Sequence, residues 1–223
     1  MKLIRLFDIV ASLSALIVLS PILCVVMIIL IITGEHKIFY FQARVGFNQK
    51  VFNLVKFATM LENSPNMTGG HITSKNDPRV LPFGRLLRVT KLNEIPQLLN
   101  VLIGDMSLIG PRPLTSDMFN LYTTSQKQSI SKCRPGLSGV GSIVFRSEEN
   151  YIQNKSNPKQ FYAEVISPYK GLLEDWYYNN RSVKLYFTLI ILTLIHIVDP
   201  KSKAVWSILK SLPKMPEELI HSK

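Results

Sequence analysis

Arginines and one carboxylate, set in segments punctuated by glycine and proline, are what this sequence offers for chemistry. Arg85 and Arg88 come just before Asn93-Glu94, Arg112 stands between Pro111 and Pro113, and Arg146 follows a glycine-rich stretch. A guanidinium presents a planar fork of donors that matches phosphate oxygens, so these positions point to phosphate recognition. Residues 104–113 say most, because their glycines allow close backbone approach while two prolines hold Arg112 in a stiff frame. Taken singly, each arginine is also what an ordinary solvated turn supplies. Arg134-Pro135-Gly136, with Gly139 and Gly141, reads equally as a plain loop or as a phosphate-approach loop. Glu94 could act as general acid or base, or hold a divalent cation, if phosphates come beside it. Alone, it is a helix-start charge that complements the dipole. His36, His71, His196 and His221 are scattered without metal-ligand spacing, and the chain has no Walker loop, dinucleotide turn or serine elbow.

The whole chain is consistent with anionic partners. Its 223 residues carry 26 Lys and Arg against 15 Asp and Glu, a formal net charge of +11, with 47% hydrophobic residues. That composition excludes a disordered chain and leaves phosphates, nucleic acid or a negatively charged leaflet as partners. No basic stripe interleaved with stacking aromatics is present, so nucleic acid is not expected. Two cysteines cannot build a disulfide scaffold. Cys24 reads as a small apolar membrane residue and Cys133 as a free thiol.

The elements that must position these groups begin with a membrane segment. Residues 9–32 contain no charge and are long enough, as a straight helix, to cross a hydrocarbon core of about 30 Å. Ser20 and Pro21 interrupt the middle, where proline removes a backbone donor and imposes a kink. Lys2 and Arg5 precede the segment and Lys37 and Arg44 follow it, so both ends prefer the cytoplasmic leaflet. A re-entrant helical hairpin satisfies kink and charges together; an ordinary span and a cleaved signal peptide are the alternatives, the last lacking a small-residue cleavage pattern. Short strands are expected at residues 37–40 and 51–56, and a long breaker-rich loop over 62–79. Ile95, Leu98, Leu99 and Leu102 form a helical stripe with Pro96 in the first turn, which puts Asn93 and Glu94 at the helix start. Residues 185–198 are too short to span and fit a buried or interfacial helix flanked by Arg181, Lys184, Lys201 and Lys203, which could touch lipid phosphates. The tail from residue 200 mixes Val205, Trp206, Ile208, Leu209 and Leu212 with lysines and suggests contact with the membrane surface. The expected fold class is α+β and mostly helical, with a hairpin at 1–33, a cytoplasmic catalytic domain at 34–199 and an amphipathic tail at 200–223.

Several segments together resemble the bacterial sugar transferases, the monotopic polyprenyl-phosphate phosphoglycosyl transferases. They are Ser20-Pro21 in the apolar segment, Gln42-Ala43-Arg44-Val45-Gly46, Lys56-Phe57, Asn76-Asp77-Pro78-Arg79-Val80, Phe83-Gly84-Arg85, residues 94–100 with Pro96-Gln97, and residues 104–113. Arg134 to Gly139 resembles the family's later Pro-Gly motif, and Glu174, Tyr177 and Tyr178 lie near a weaker C-terminal signature. The resemblance implies an enzyme on the cytoplasmic face of the bacterial inner membrane. It would move a phosphosugar from a UDP-sugar to undecaprenyl phosphate, release UMP and start a surface glycan. It also implies magnesium and an Asp-Glu dyad whose aspartate attacks the β-phosphate. By the same analogy Arg88, Arg112 and Arg146 would contact donor phosphate and uridine, with Pro111 and Pro113 shaping the nucleotide pocket. Glu94, with the amide oxygen of Asn93, would hold Mg2+. Interfacial helices could support a homodimer.

Two positions depart from the pattern. Asn93 stands where the family has aspartate, and a neutral amide cannot serve as a carboxylate nucleophile. Either Glu94 attacks, or the lipid phosphate attacks the donor directly, or another carboxylate such as Asp105 or Asp77 moves in. Otherwise the chain binds substrates without turnover or acts as a membrane adaptor; an aspartate replaced to trap a state is a further reading. Ala58 stands where relatives often carry arginine after Lys-Phe, which leaves Lys56 as the neighbouring candidate.

Overall fold

Helix dominates the chain, as the mostly helical α+β class expects, in a computed structural model that describes residues 2–64, 67, 77–146, 148–152 and 155–220. Most of the 62–79 loop, with His71 and Asn76, and His221 lie outside the described residues. Helix α1 (Lys2–Ile32) is followed by strands β1 (Phe39–Val45) and β2 (Val51–Phe57), then α2 (Pro82–Val89) and α3 (Gln97–Ile103). Strand β3 (Ser107–Ile109), α4 (Ser116–Asn120), α5 (Thr124–Ser131), β4 (Gly136–Ser138) and α6 (Val140–Val144) come next. The remainder is α7 (Glu149–Ile152), α8 (Pro158–Phe161), a π-helical turn (Tyr162–Ile166), α9 (Ser167–Asn179), α10 (Val183–Val198), α11 (Ala204–Ile208) and α12 (Glu217–Ile220).

α1 is one helix of 31 residues through Ser20-Pro21, so the expected interruption is not a gap in helical structure. The Ser20 hydroxyl donates to the Ile17 carbonyl at 2.8 Å, within the turn that a proline leaves short of a donor. Among the described residues α1 is the one helix long and apolar enough to cross a membrane. Its exposed side chains include Ile17, Val18, Ile22, Val25 and Ile28, while Asp8, Ser12, Val26 and Leu30 are buried.

The chain divides into two compact units. The first holds residues 1–6, 44–52 and 104–223; the second holds residues 7–43 and 53–103. In the second unit Val26, Leu30, Phe57 and Leu87 form the core, and the Phe39 and Phe57 rings stack at 5.6 Å between centroids. Fully buried Asn100 fixes α3 to β2: its Oδ1 accepts the Val55 N–H at 2.9 Å and its Nδ2 donates to the Asn53 carbonyl at 2.8 Å. Gly84 lets α2 lie against the chain at Thr59, where a Cβ would stand 2.3 Å from the Thr59 carbonyl oxygen. Strand β2 matches the expected 51–56 within a residue, whereas the first strand begins two residues later than expected and runs on to Val45. α3 buries Gln97, Leu98, Asn100 and Val101, and Leu99 is exposed, so the expected apolar stripe is displaced around the helix. Polar Gln97 and Asn100 occupy the inner face because Asn100 satisfies β2 backbone groups, which hydrophobic periodicity does not register.

The first unit is organised around a parallel pair in segments whose glycines and prolines read as loop. β3 pairs with β4, Ser107 opposite Gly136 and Ile109 opposite Ser138. Gly110, Gly136 and Gly139 exist for this contact. A Cβ on Gly110 would lie 2.3 Å from the Arg134 carbonyl oxygen, and one on Gly136 or Gly139 would lie 2.1 Å from Gly110 backbone atoms. They bring backbone to backbone, so a phosphate does not occupy that space. α10 covers the pair through a 2.8 Å hydrogen bond between the Ser138 and Thr193 hydroxyls. It buries Leu185, Tyr186, Leu189, Leu192 and His196 and exposes Ile191, Leu194, Ile197 and Val198, a helix with one face in the core. α5 begins with a capping box between Thr123 and Gln126.

Candidate active site

The candidate residues fall in both units, and each group has its own logic. In the second unit Arg85 is exposed and Arg88 half-buried near the end of α2. The chain then passes Thr90 and turns at Lys91, which has a left-handed φ of 61°, into the 3-10 turn Leu92–Glu94. Glu94 donates its backbone N–H to the Lys91 carbonyl at 3.1 Å. Asn93 and Glu94 therefore occupy their own turn, ahead of Pro96 and α3, rather than the first turn of the α3 helix. Ile95 keeps helical φ and ψ of −56° and −37°, and the Leu98 N–H donates to its carbonyl at 3.0 Å, so the turn leads directly into α3, with Pro96, which has no N–H, between them.

Asn93 is 8% exposed and its Oδ1 has no hydrogen-bond partner among the described residues. A buried carbonyl oxygen without a donor costs free energy, and such a group in a native fold asks for a function. Glu94, its neighbour, is half-buried. Lys56 is half-buried on β2. Arg88, Glu94 and Lys56 are each engaged within the protein.

Asp77 is not available as a substitute nucleophile. Its carboxylate takes Arg79 Nε on Oδ1 at 2.8 Å and Nη2 on Oδ2 at 2.6 Å, with both side chains buried. Arg79 also donates to the Ser64 carbonyl at 2.9 Å. The Asp77 hydrogen bond raises the Arg79 guanidinium pKa against the effect of burial. In the family-like Asn76-Asp77-Pro78-Arg79 run, this forked pair is a structural clasp.

In the first unit Pro111 and Pro113 are buried while Arg112 between them is exposed, as the stiff-frame reading expects. The turn is pinned on several sides. The Pro111 carbonyl accepts the Gly136 N–H at 2.8 Å, and the Pro113 carbonyl accepts from Arg44 Nη1 at 2.9 Å. Val45 joins Leu114 by an antiparallel bridge. A hollow with room for about one water molecule is bordered by Val45, Pro111, Arg112, Leu114, Cys133 and Pro135 among others, too small for a nucleotide. Arg146 is half-buried just after α6.

Two cations considered for phosphate or lipid serve the fold instead. Arg134 donates through Nε to the Gly104 carbonyl at 2.8 Å and lies over the Phe47 ring at 5.8 Å. Arg181 donates through Nη1 to the Lys132 carbonyl at 3.0 Å and to Cys133 Sγ at 3.4 Å, and stacks 4.4 Å from the Tyr178 ring centroid. Cys133 is thus a free thiol that does have a neighbour, and burial pushes its pKa to about 11.

Beneath Arg112 lies a set of buried ionisable groups that the sequence signals only faintly. Lys170 and Glu174 share one face of α9 with Leu173 and Tyr177, the i, i+3, i+4, i+7 spacing of a core face carrying two charges. Lys170 Nζ reaches Glu148 Oε1 at 2.7 Å and lies 5.1 Å from the Phe145 ring and 5.3 Å from the Tyr162 ring. Burial raises the Glu174 carboxyl to about 7, opposed by the Arg112 N–H and by the Lys170 and Arg112 charges. Burial lowers Lys170 against the pull of Glu148, and raises the Tyr122 and Tyr162 phenols.

No group of three or more His, Cys, Asp or Glu side chains suited to a metal exists among the described residues. Glu94 and the unpartnered Asn93 oxygen are hard oxygen donors of the kind Mg2+ takes, and Mg2+ commonly completes its shell with waters and substrate phosphates.

Comparison with known proteins shows what the chain is similar to. Residues 1–200 match the family described as bacterial sugar transferase. The chain is similar to the exopolysaccharide production protein ExoY of Rhizobium meliloti (strain 1021), 35% identical over 188 residues, covering 75% of this chain and 83% of that one. It is also similar to the undecaprenyl-phosphate glucose phosphotransferase of Komagataeibacter xylinus, 40% identical over 144 residues, covering 62% of this chain and 27% of that protein. A third similarity is to the undecaprenyl-phosphate galactose phosphotransferase of Salmonella typhimurium, 36% identical over 161 residues, covering 66% of this chain and 33% of that protein.

Proposed function

The chain belongs to the bacterial sugar transferase family, and from that premise we propose that it transfers a sugar 1-phosphate from a UDP-sugar to undecaprenyl phosphate, releasing UMP. It is an enzyme, a phosphoglycosyl transferase. The relatives named for glucose and for galactose differ in sugar, so the reading stops at the UDP-sugar class and at an initiating step of surface-glycan assembly.

The observation that carries the reading is the Pro111-Arg112-Pro113 turn. Two buried prolines, whose carbonyls accept from Gly136 N–H and Arg44 Nη1, hold the backbone while Arg112 stays exposed. A pre-fixed fork gives up little freedom on gripping a diphosphate. The resemblance assigns Arg88 and Arg146 to donor contacts as well, and Lys56 to a phosphate contact.

Glu94 is the central carboxylate in this reading, by one of two routes. In one route its carboxylate attacks the β-phosphorus, the bond to the bridging oxygen breaks, UMP leaves, and a lipid phosphate oxygen then displaces Glu94. In the other, the lipid phosphate oxygen attacks the β-phosphorus directly. Asn93 supplies a carbonyl oxygen in either. Mg2+, held by Glu94 and Asn93 Oδ1 together with substrate phosphates, would neutralise diphosphate charge.

The apolar exposed side chains of α1 support membrane attachment, and its basic flanks support a monotopic placement in which α1, bent at Ser20-Pro21, enters and leaves on the cytoplasmic face of the inner membrane. Lipid and soluble nucleotide would then meet at headgroup depth.

UMP release from a panel of UDP-sugars, with magnesium and with or without undecaprenyl phosphate, tests the proposal. Turnover with at least one sugar is expected, lost in Glu94→Gln and strongly reduced in Arg112→Ala. Release without lipid, with a phosphosugar adduct on Glu94 by mass spectrometry, selects the covalent route. No release from any sugar in the panel would leave a substrate-binding member of the family.

A further inference from the structure

We propose that Lys170 is a positioning residue for donor recognition: its buried ammonium group, held between the Glu148 carboxylate and the Phe145 ring, ties together the two ends of the turn that presents Arg146. This rests on the reading of Arg146 as a donor contact and adds a residue to it.

Arg146 occupies the first corner of a turn that begins at Phe145 and ends at Glu148, closed by the Glu148 N–H donating to the Phe145 carbonyl at 3.1 Å. Lys170, 7% exposed on the inner face of α9, reaches both ends of that turn. Its Nζ donates to Glu148 Oε1 at 2.7 Å and lies 5.1 Å from the Phe145 ring centroid, with the Tyr162 ring at 5.3 Å. The Phe145 end is fixed on its own account. Phe145 is buried, meets the Tyr151 and Tyr169 rings edge-on at 5.7 and 5.9 Å, and donates its N–H to the Gly141 carbonyl at 3.0 Å. The Glu148 end is looser: its side chain is 28% exposed, so water competes with the lysine for the carboxylate.

Helix α6 links this turn to the Pro111-Arg112-Pro113 turn. It starts after Gly139, where a Cβ would lie 2.1 Å from the Gly110 carbonyl oxygen, and it ends before Phe145. Its five residues rise about 7.5 Å, so the two arginine-bearing turns stand near opposite ends of one short helix, a spacing that two long side chains can close on a single nucleotide.

A buried ammonium is costly, and burial lowers the Lys170 pKa against the pull of Glu148. Exchanging such a pair for packed apolar side chains is often neutral for stability, so stability alone does not call for lysine here. What the ammonium contributes is a side-chain tie across the turn. Without it the Glu148 carboxylate turns to water, and Arg146 spreads over orientations of which only some meet the diphosphate.

The test uses UDP as the probe, with magnesium, on the detergent-solubilised full chain, alongside UMP release and denaturant unfolding. Lys170→Met keeps the length of the side chain and removes its charge. It is expected to fold, to weaken UDP about 10-fold, the size of one charge-assisted hydrogen bond, and to raise donor KM more than it changes kcat. Glu148→Gln keeps a neutral acceptor and is expected to weaken UDP about 3-fold. The double variant Arg146→Ala/Lys170→Met is expected to bind no worse than Arg146→Ala alone, since Lys170 acts through Arg146. Unchanged UDP affinity in folded Lys170→Met, whatever its stability, or losses that multiply in the double variant, overturns the positioning role. Should Lys170→Met fail to fold, Glu148→Gln and its combination with Arg146→Ala carry the test, and unchanged affinity in Glu148→Gln overturns the proposal. Unchanged affinity in Arg146→Ala itself overturns the donor reading of Arg146 instead, so the two failures are distinct.

Discussion

Glu174→Gln should make the protein more stable at neutral and alkaline pH while leaving its stability near pH 4 little changed. Burial lifts the carboxyl from an ordinary value of 4.5 to about 7. Below pH 4.5 the group is protonated whether the chain is folded or not, and it adds no pH dependence. Between 4.5 and 7 the unfolded chain releases the proton and the folded protein holds it, so stability falls as pH rises and levels off above 7. At about 1.36 kcal/mol per pH unit, the loss is about 3 kcal/mol. Arg112, Lys170, Glu148, Tyr122, Tyr162 and Cys133 are ionisable groups around this pocket. Of these, Lys170 and Glu148 are paired with each other. Glutamine has nearly the same shape and no proton to lose. Denaturant unfolding in detergent, at half-unit steps from pH 4.5 to 8.5, should show the wild-type stability declining relative to the variant by about 3 kcal/mol over that window. Parallel curves across the whole range would refute the reasoning, since they would mean that Glu174 titrates alike in the folded and unfolded chain.

Asn93→Asp should raise lipid-independent UMP release at least about 10-fold by placing a carboxylate where the resemblance implies the nucleophile, read by nucleotide chromatography; an unchanged rate would place residue 93 outside the chemistry. Asp77→Ala should cost about 3–5 kcal/mol in unfolding free energy, because it strands the buried Arg79 guanidinium, and an effect below about 1 kcal/mol would contradict the clasp. Gly110→Ala should lower expression and stability by forcing apart backbones that a Cβ would meet at 2.3 Å, whereas Leu99→Ala, at an exposed position, should change stability by less than about 1 kcal/mol; comparable losses in the two would refute the packing account.

Signals that are local along the chain are legible in the residues themselves. An apolar run long enough to cross a bilayer is a property of consecutive residues, and α1 spans it. A proline on either side of Arg112 restricts the backbone wherever that turn sits, and the turn is indeed framed by buried prolines around an exposed arginine. Strand β2 and helix α10 follow from periodicity and length in the same way. What only the tertiary structure decides depends on partners distant in sequence. β3 and β4 are three residues each, too short to carry a period, and exist because each completes the other's hydrogen bonds. Their glycines are fixed by the backbone they face, so composition alone does not separate a phosphate loop from a backbone crossing. Arg134 and Arg181 carry the same charge as Arg112, but carbonyls and rings from other segments hold them. Glu174 and Lys170 carry polar identities that suit a surface, and α9 turns them inward beneath Arg112. A carboxyl group's burial and hydrogen-bond donors are made by the assembled fold, and those fix its proton affinity and what it holds in place.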